Sequence, residues 1–267
     1  MKDTTLALAI QNCIPGKIQA NLENCINLTR EASRKGADMI LFPEMNLTGY
    51  ISGKAIQPLA QPVPCQATQA LVTLARQESI TILAGLAETD EQGHVYSSHL
   101  VIDPCGILGI YRKTHIAPPE KKVYTPGESI NTFNTPLMTL GIQICYDSHF
   151  PEMSTAMALK GADILCIPHA SPRGASHEKF SSWMRHLTAR AFDNGVFVAA
   201  CNQVGDNGNG LVFPGIALVL GPDGNILARH ETATDSLVTV KLKKSQLDRV
   251  RNHRMRYFLP NRRGDLY

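Results

Sequence analysis

Cys145 closes an apolar run, Leu140, Gly141, Ile142, Gln143 and Ile144, and is followed at once by the polar stretch Tyr146, Asp147, Ser148 and His149. Two further segments have the same build. Glu44 follows the run Ile40, Leu41, Phe42 and Pro43, and Lys113 follows residues 107–111 and Arg112. A thiol, a carboxylate and an ammonium therefore each stand just beyond a strand-like run. A glutamate to take a proton, a lysine to hold developing negative charge and a cysteine to attack are the parts of an acyl-transfer site. Taken singly, each has a plainer role: a small core residue, a cap on the following loop or helix, a solvated charge at a strand end. Cys166 and Cys201, inside apolar runs, read as core residues. Cys145 differs because it precedes a turn that can aim a backbone N–H back at a substrate.

The elements that must position these groups form two echoing series. Residues 36–44 (GADMILFPE) and 161–169 (GADILCIPH) share a helix stop, a buried strand and a proline exit, so that His169 is the counterpart of Glu44. The first series follows a helix with apolar residues at Ile18, Leu22, Ile26 and Ala32, ending in Arg34 and Lys35 before Gly36. A shorter helix, about residues 152–160, precedes the second. Further helices are expected over about 64–78 and 177–194, and further strands over 80–87 and 196–201. The segment Pro104-Cys105-Gly106 resembles Pro222-Asp223-Gly224, and each reads as a tight turn between antiparallel strands. With no flexible linker between the series, the chain reads as one α/β domain over residues 1–267, two sheets packed together with helices outside and two pseudo-equivalent halves.

The composition is that of an ordinary soluble protein. A formal net charge of +3 is too small to imply a polyanionic partner. The seven cysteines are odd in number and lack a CxxC pair, which fits a reducing compartment better than a disulfide framework. The apolar stretches are short and interrupted, and no secretory leader is visible, so a cytoplasmic location and no membrane partner are expected. No HxxxH pair suggests a metal site, and His177 and His186 do not share a helix face. The basic stretch after Val250, with Arg251, Arg254, Arg256, Arg262 and Arg263 among Tyr257 and Phe258, suits a subunit interface better than a nucleic-acid arm.

The strings FPEMNLTGY (42–50), YRKTH (111–115) and GIQICYD followed by FPE (141–152) resemble, in order and spacing, the three signature blocks of the nitrilase superfamily, the carbon–nitrogen hydrolases. The resemblance covers nearly the whole chain and implies an αββα sandwich. Carried over residue by residue, it implies Glu44 as general base, Lys113 as oxyanion stabiliser, Cys145 as nucleophile and Glu120 as a second glutamate beside them. It also implies a thioester intermediate, with no metal and no organic cofactor. The expected substrate is a small amide or N-carbamoyl compound; the alternatives are a small nitrile or a non-catalytic protein that keeps the fold. The backbone N–H of Tyr146 joins Lys113 at the oxyanion, and His169, Arg173, Trp183 and Tyr50 are expected around the substrate, with Asn202 a weaker candidate. Many relatives carry arginine where this chain has His149, which is expected to pack beside the turn. Family members also place their carboxyl-terminal segments across a neighbouring subunit, so a homodimer or larger homo-oligomer is expected, with residues 250–267 on the partner.

Overall fold

The computed structural model describes residues 1–266. The chain runs β1 (Thr4–Ile10), α1 (Ile18–Arg34), β2 (Met39–Leu41), α2 (Gln66–Glu78), β3 (Thr81–Thr89), β4 (Val95–Asp103) and β5 (Gly106–Arg112). It continues with β6 (Thr132–Asn134), β7 (Thr139–Ile142), α3 (Pro151–Leu159), β8 (Ile164–His169), α4 (Ser176–Met184), α5 (Leu187–Asn194) and β9 (Phe197–Asn202). A small hairpin, β10 (Gly205–Asp206) and β11 (Val212–Phe213), leads to β12 (Gly215–Leu220), β13 (Ile226–Thr232), β14 (Ser236–Leu242) and α6 (Lys244–Arg251). No helix among the described residues is long and apolar enough to cross a membrane.

Two six-stranded mixed sheets result, in the orders β14-β1-β2-β3-β4-β5 and β13-β12-β9-β8-β7-β6. They have one plan. In the first, β1, β2 and β3 are parallel and continue into the antiparallel β4 and β5. In the second, β7, β8 and β9 are parallel and continue into the antiparallel β12 and β13. Each parallel triple carries an antiparallel strand on its other flank, β14 on β1 and β6 on β7. Even the register shifts correspond, one at Val101/Ile102 and one at Val219/Leu220. Both echoing turns lie where the plan requires, between β4 and β5 and between β12 and β13. The pseudo-equivalent halves thus follow from strand order as well as from the matching residue strings.

The period of two along each strand sorts side chains between layers. In β1, Leu6, Leu8 and Ile10 enter the cluster shared with Leu140, Ile142, Ile167 and Leu218 of the second sheet. The intervening Ala7 and Ala9 join Ile40, Phe42 and Ile82 against Leu22, Leu28, Leu71 and Leu74 of α1 and α2. Both faces of the strand are therefore covered, as parallel strands require. Each buried leucine or isoleucine here stabilises the fold by roughly 1.5–3 kcal/mol through water exclusion.

Two expected elements change shape. The apolar run before Cys145 leaves the sheet at Ile142, and Cys145–His149 form a 3-10 turn, because the Asp147 carboxylate takes the Ile144 N–H at 2.9 Å. The helix expected over 177–194 is broken between α4 and α5. Arg185 and His186 donate backbone hydrogen bonds only three residues back, to Ser182 and Trp183, both at 3.2 Å. The break brings Trp183 and His186 to one cavity, and Trp183 shares the core cluster with Leu187 and Ala191.

Candidate active site

Glu44, Lys113, Cys145 and His169 all stand at or just beyond carboxyl ends of strands, from β2, β5, β7 and β8. Open α/β sheets bind ligands at that edge. The approach of the Glu44 loop to the sheet depends on Gly85. A Cβ there would lie 2.8 Å from the Met45 nitrogen and 2.7 Å from His99 Nδ1. Without one, Gly85 N donates to Asn46 Oδ1 at 2.8 Å and Gly85 O accepts from Leu47 N at 3.0 Å.

Glu44, Lys113 and Glu120 form a buried ionic cluster, exposed by 1%, 1% and 4%. Lys113 Nζ donates to Glu44 Oε1 at 2.9 Å and to Glu120 Oε2 at 2.9 Å and Oε1 at 3.2 Å. The remaining carboxylate valences are filled. Glu44 Oε1 accepts from Ser97 Oγ at 3.2 Å and Oε2 from the Ala170 N–H at 2.9 Å. Glu120 accepts from the Tyr50 hydroxyl at 2.7 Å and the Ala117 N–H at 3.2 Å. Burial raises the Glu44 pKa above its ordinary 4.5, opposed by Lys113 and reinforced by the Glu120 charge. Burial pulls Lys113 the other way, but Glu44 and Glu120 more than offset it and hold the ammonium charged well above its usual range. Burial is also the main reason that the Cys145 thiol is held well above its ordinary value; Glu44 adds to this and Lys113 opposes it.

Cys145 occupies the left-handed backbone region at φ +47°, a conformation that costs a non-glycine residue about 1–3 kcal/mol. Neighbours hold it there. Ser148 Oγ donates to Cys145 O at 2.7 Å, and the fully buried Asp147 carboxylate accepts from Tyr111 OH at 2.8 Å, Thr114 Oγ1 at 3.0 Å and the His115 N–H at 2.8 Å. The turn bearing Cys145 and the strand exit bearing Lys113 are thereby tied through one side chain.

Cys145 opens into a cavity of about 230 Å³. Of the residues expected around substrate, Tyr50, Glu120, Tyr146, His169 and Trp183 line it. Glu44 and Lys113 stand behind that wall, joined to it through Glu120. Arg173 does not line it: the residue is exposed, sits at φ +70° and donates its backbone N–H to Val212 O at 3.0 Å. That expectation is corrected, since the loop that brings Pro172 to the cavity turns Arg173 away. His149, expected to pack beside the turn, is an exposed cavity-lining residue with its ring 4.5 Å from that of His186. Asn202 is fully buried and braces the loop instead, accepting from Ser171 N at 2.9 Å and donating to Ser171 O at 3.0 Å. Ser182 and His186 were not anticipated, and Lys179 had no sequence signal beyond its charge. Together with Trp183 they follow the spacing i, i+3, i+4, i+7 along α4 and the turn after it, which is the pattern that exposes them.

A sandwich of two α/β halves with a thiol beside a buried lysine–carboxylate cluster defines a hydrolase that works by cysteine chemistry. The chain belongs to the carbon-nitrogen hydrolase family, whose model matches residues 6–252. It is 32% identical to an (R)-stereoselective amidase of Pseudomonas sp, over 82% of this chain and 80% of that protein. It is also 32% identical to an omega-amidase of Mus musculus, over 92% of this chain and 91% of the other. Among solved structures it resembles a variant of the amidase from Nesterenkonia sp. AN1, with a TM-score of 0.85 and 27% identity over 98% of this chain and 95% of that one. That variant carries the acetamide moiety of fluoroacetamide covalently on its active site cysteine. The present chain is accordingly an amidase-like enzyme that hydrolyses C–N bonds through a cysteine.

Proposed function

We propose that the protein hydrolyses small amides, N-carbamoyl compounds being a further substrate class, with Cys145 as nucleophile, Glu44 as general base and acid, Lys113 as oxyanion stabiliser and Glu120 as the group that orients Lys113. The observation that carries this reading is the buried Lys113 ammonium held between two carboxylates, at 2.9 Å from each, beside a cavity that exposes the Cys145 thiol. At rest the thiol keeps its proton, because burial and the Glu44 charge disfavour the thiolate. Proton transfer to Glu44 therefore accompanies attack of sulfur on the amide carbon. Charge that develops on the carbonyl oxygen is met by Lys113 and by the Tyr146 N–H. Glu44 passes the proton to the departing nitrogen, ammonia leaves, and a thioester remains on Cys145. Water, losing a proton to Glu44, attacks the thioester; the acid departs and the sulfur recovers the proton.

Ammonia release from a panel of short aliphatic amides, monoamides of dicarboxylic acids, N-carbamoyl amines and short nitriles tests the reading. An acylated Cys145 peptide, trapped by acid quench and identified by mass, is the expected intermediate. Hydrolysis confined to nitriles would replace the amide reading with the nitrile one.

The pH profile carries a second expectation. Glu44 must be ionised in the free enzyme to accept the thiol proton, and its pKa is raised above 4.5 by burial. Activity therefore falls on the acid side through a midpoint above 4.5, with the apparent value belonging to the coupled Glu44–Lys113–Glu120 cluster. Lys113, shifted upward by its two carboxylates, remains charged and contributes no loss near neutral pH. An acid limb in kcat/KM at or below the ordinary carboxylate value would remove Glu44 as the base.

A further inference from the structure

Glu44, on the first sheet, is held at both of its ends from the second. It lies beyond Leu41, the last paired residue of β2, and Met45 after it stands at φ +53°, so the Glu44 carbonyl is outside the ladder. Its partner crosses from the other half. Gln203, directly after β9 and fully buried, donates Nε2–H to Glu44 O at 2.8 Å. A buried carbonyl must find a donor, and this side chain supplies it. Gln203 Oε1 has no partner among the described residues. The amide thus leaves one buried atom unpaired, which is unfavourable, and makes its bond to the residue that carries the base.

The carboxylate end of Glu44 depends on the residue before Gln203. β8 and β9 pair in register up to His169 and Asn202, and there the ladder stops. The Asn202 carboxamide continues it. Oδ1 accepts from Ser171 N at 2.9 Å and Nδ2 donates to Ser171 O at 3.0 Å, so one side chain meets both backbone polar groups of Ser171. The other Nδ2 hydrogen reaches Pro214 O at 2.9 Å, just ahead of β12. Only a carboxamide presents donors and an acceptor together, as a peptide group does. Lys179 fixes the same residue from α4, with Nζ 2.8 Å from Ser171 Oγ. What this clamp holds in place is Ala170, whose N–H donates to Glu44 Oε2 at 2.9 Å. Glu44 Oε1 meets two donors, Lys113 and Ser97, where Oε2 meets this one among the described residues. Oε2 is therefore the more basic oxygen. Burial raises the Glu44 pKa; Lys113 opposes the rise, and the Ala170 N–H adds to that opposition.

We infer that Asn202 and Gln203 are positioning residues for the general base: Gln203 fixes the Glu44 backbone, and Asn202 fixes the Ala170 N–H against the Glu44 carboxylate. The inference rests on Glu44 as the base and extends that reading to the residues that aim it. Neither amide lines the cavity among the described residues, so each acts through Glu44 and not on the substrate. Their roles differ. Without the Gln203 donor the base drifts from the thiol, and without Asn202 the Ala170 N–H withdraws and Glu44 keeps its proton to higher pH.

The test follows kcat and KM for butanamide across pH in Gln203→Met, Asn202→Ala and Thr29→Val. Thr29 is buried on α1 and its Oγ1 donates to Cys25 O at 2.8 Å, so its variant removes a comparable bond inside one helix. In Gln203→Met, kcat is expected to fall by about 10–100-fold, with KM within about two-fold and the acid limb in place, the scale on which a displaced catalytic group acts. In Asn202→Ala, kcat/KM falls and its acid limb moves to higher pH, because the carboxylate has lost a donor. Thr29→Val keeps both. Lys113, Glu120, Cys145, Tyr50 and Tyr124, the other titratable groups that bear on Glu44, are unaltered in all three variants. Wild-type kinetics in folded Gln203→Met and Asn202→Ala, a loss that appears in KM alone, or an equal shift of the limb in Thr29→Val would each overturn the assignment. Where the alanine variant does not fold, Asn202→Ser, with a side chain too short to bridge Ser171, gives the same reading. Carbon-13 NMR of glutamate-labelled protein, with the Glu44 carboxyl assigned by its absence from Glu44→Gln, follows the titration without turnover. An upward move of the Glu44 midpoint in the Asn202 variant upholds the clamp even where no amide is hydrolysed, a result that would sink the amide reading alone; an unmoved midpoint overturns the clamp.

Discussion

Cys145→Ala protein is expected to be folded and to release ammonia at a rate at least about 10⁴-fold below wild type, the scale on which removal of a covalent nucleophile usually acts. The loss should be this complete because nothing near the site can replace the sulfur. Burial leaves Glu44 and Glu120 bonded to Lys113, and the aliphatic hydroxyl nearest in sequence, Ser148, is spent on Cys145 O at 2.7 Å. Serine at position 145 should fare little better, since its hydroxyl is a far weaker acid and the burial that raises the thiol pKa would oppose its ionisation as well. Folding should survive in both variants. Alanine and serine bear the same strain at φ +47° as cysteine, and the turn is held by Asp147 and Ser148, not by the sulfur. A haloacetamide reports the same difference chemically. It should label residue 145 of the wild type, identified by peptide mapping because Cys105 is exposed and Cys65, like Cys145, is only partly buried. Substantial hydrolysis by Cys145→Ala, with its thermal midpoint unchanged, would remove Cys145 from the chemistry.

Much of this arrangement was legible along the chain, and the part that was not has a physical reason. Glu44, Lys113 and Cys145 each follow an apolar strand run, and strand ends are where an α/β sheet presents side chains to a ligand. The two-sheet architecture followed from the matching GAD strings and the paired turns, because like sequences build like supersecondary units. Three features escaped. Tyr50 and Glu120 meet only across a fold in which distant loops converge, at 2.7 Å, and no local pattern encodes that contact. The break between α4 and α5 is set by i−3 hydrogen bonds at Arg185 and His186, two residues with no strong helix-breaking chemistry. Arg173 and Lys179 are chemically alike in sequence, yet a positive φ on one side and a helix face on the other send one to solvent and one into the cavity.

Lys113→Met should cost both activity and stability, and the two losses have different origins. The ammonium is the counter-charge of two carboxylates exposed by only 1% and 4%. Its removal leaves Glu44 and Glu120 buried together with the Ser97, Ala170, Tyr50 and Ala117 donors but no cation. Breaking a buried pair in this way typically costs about 3–5 kcal/mol. Urea or thermal unfolding at neutral pH reads that deficit directly. The pH dependence follows from the sign of the shift. Glu44 already has its pKa raised above 4.5 by burial and by Glu120, and without Lys113 it rises further. A carboxyl whose folded pKa exceeds its unfolded value favours folding below the unfolded pKa and loses that contribution as pH rises through the folded one. The Lys113→Met deficit should therefore be largest at and above neutral pH and shrink as pH approaches 4.5. Activity should fall by about 10²–10³-fold at every pH, since the oxyanion loses its cation. The double variant Lys113→Met, Glu120→Gln separates the effects: with one carboxylate neutralised, much of the stability returns while ammonia release stays low. Recovery of both together would mean that Lys113 serves only to hold the two glutamates; recovery of stability alone places the ammonium on the developing negative charge.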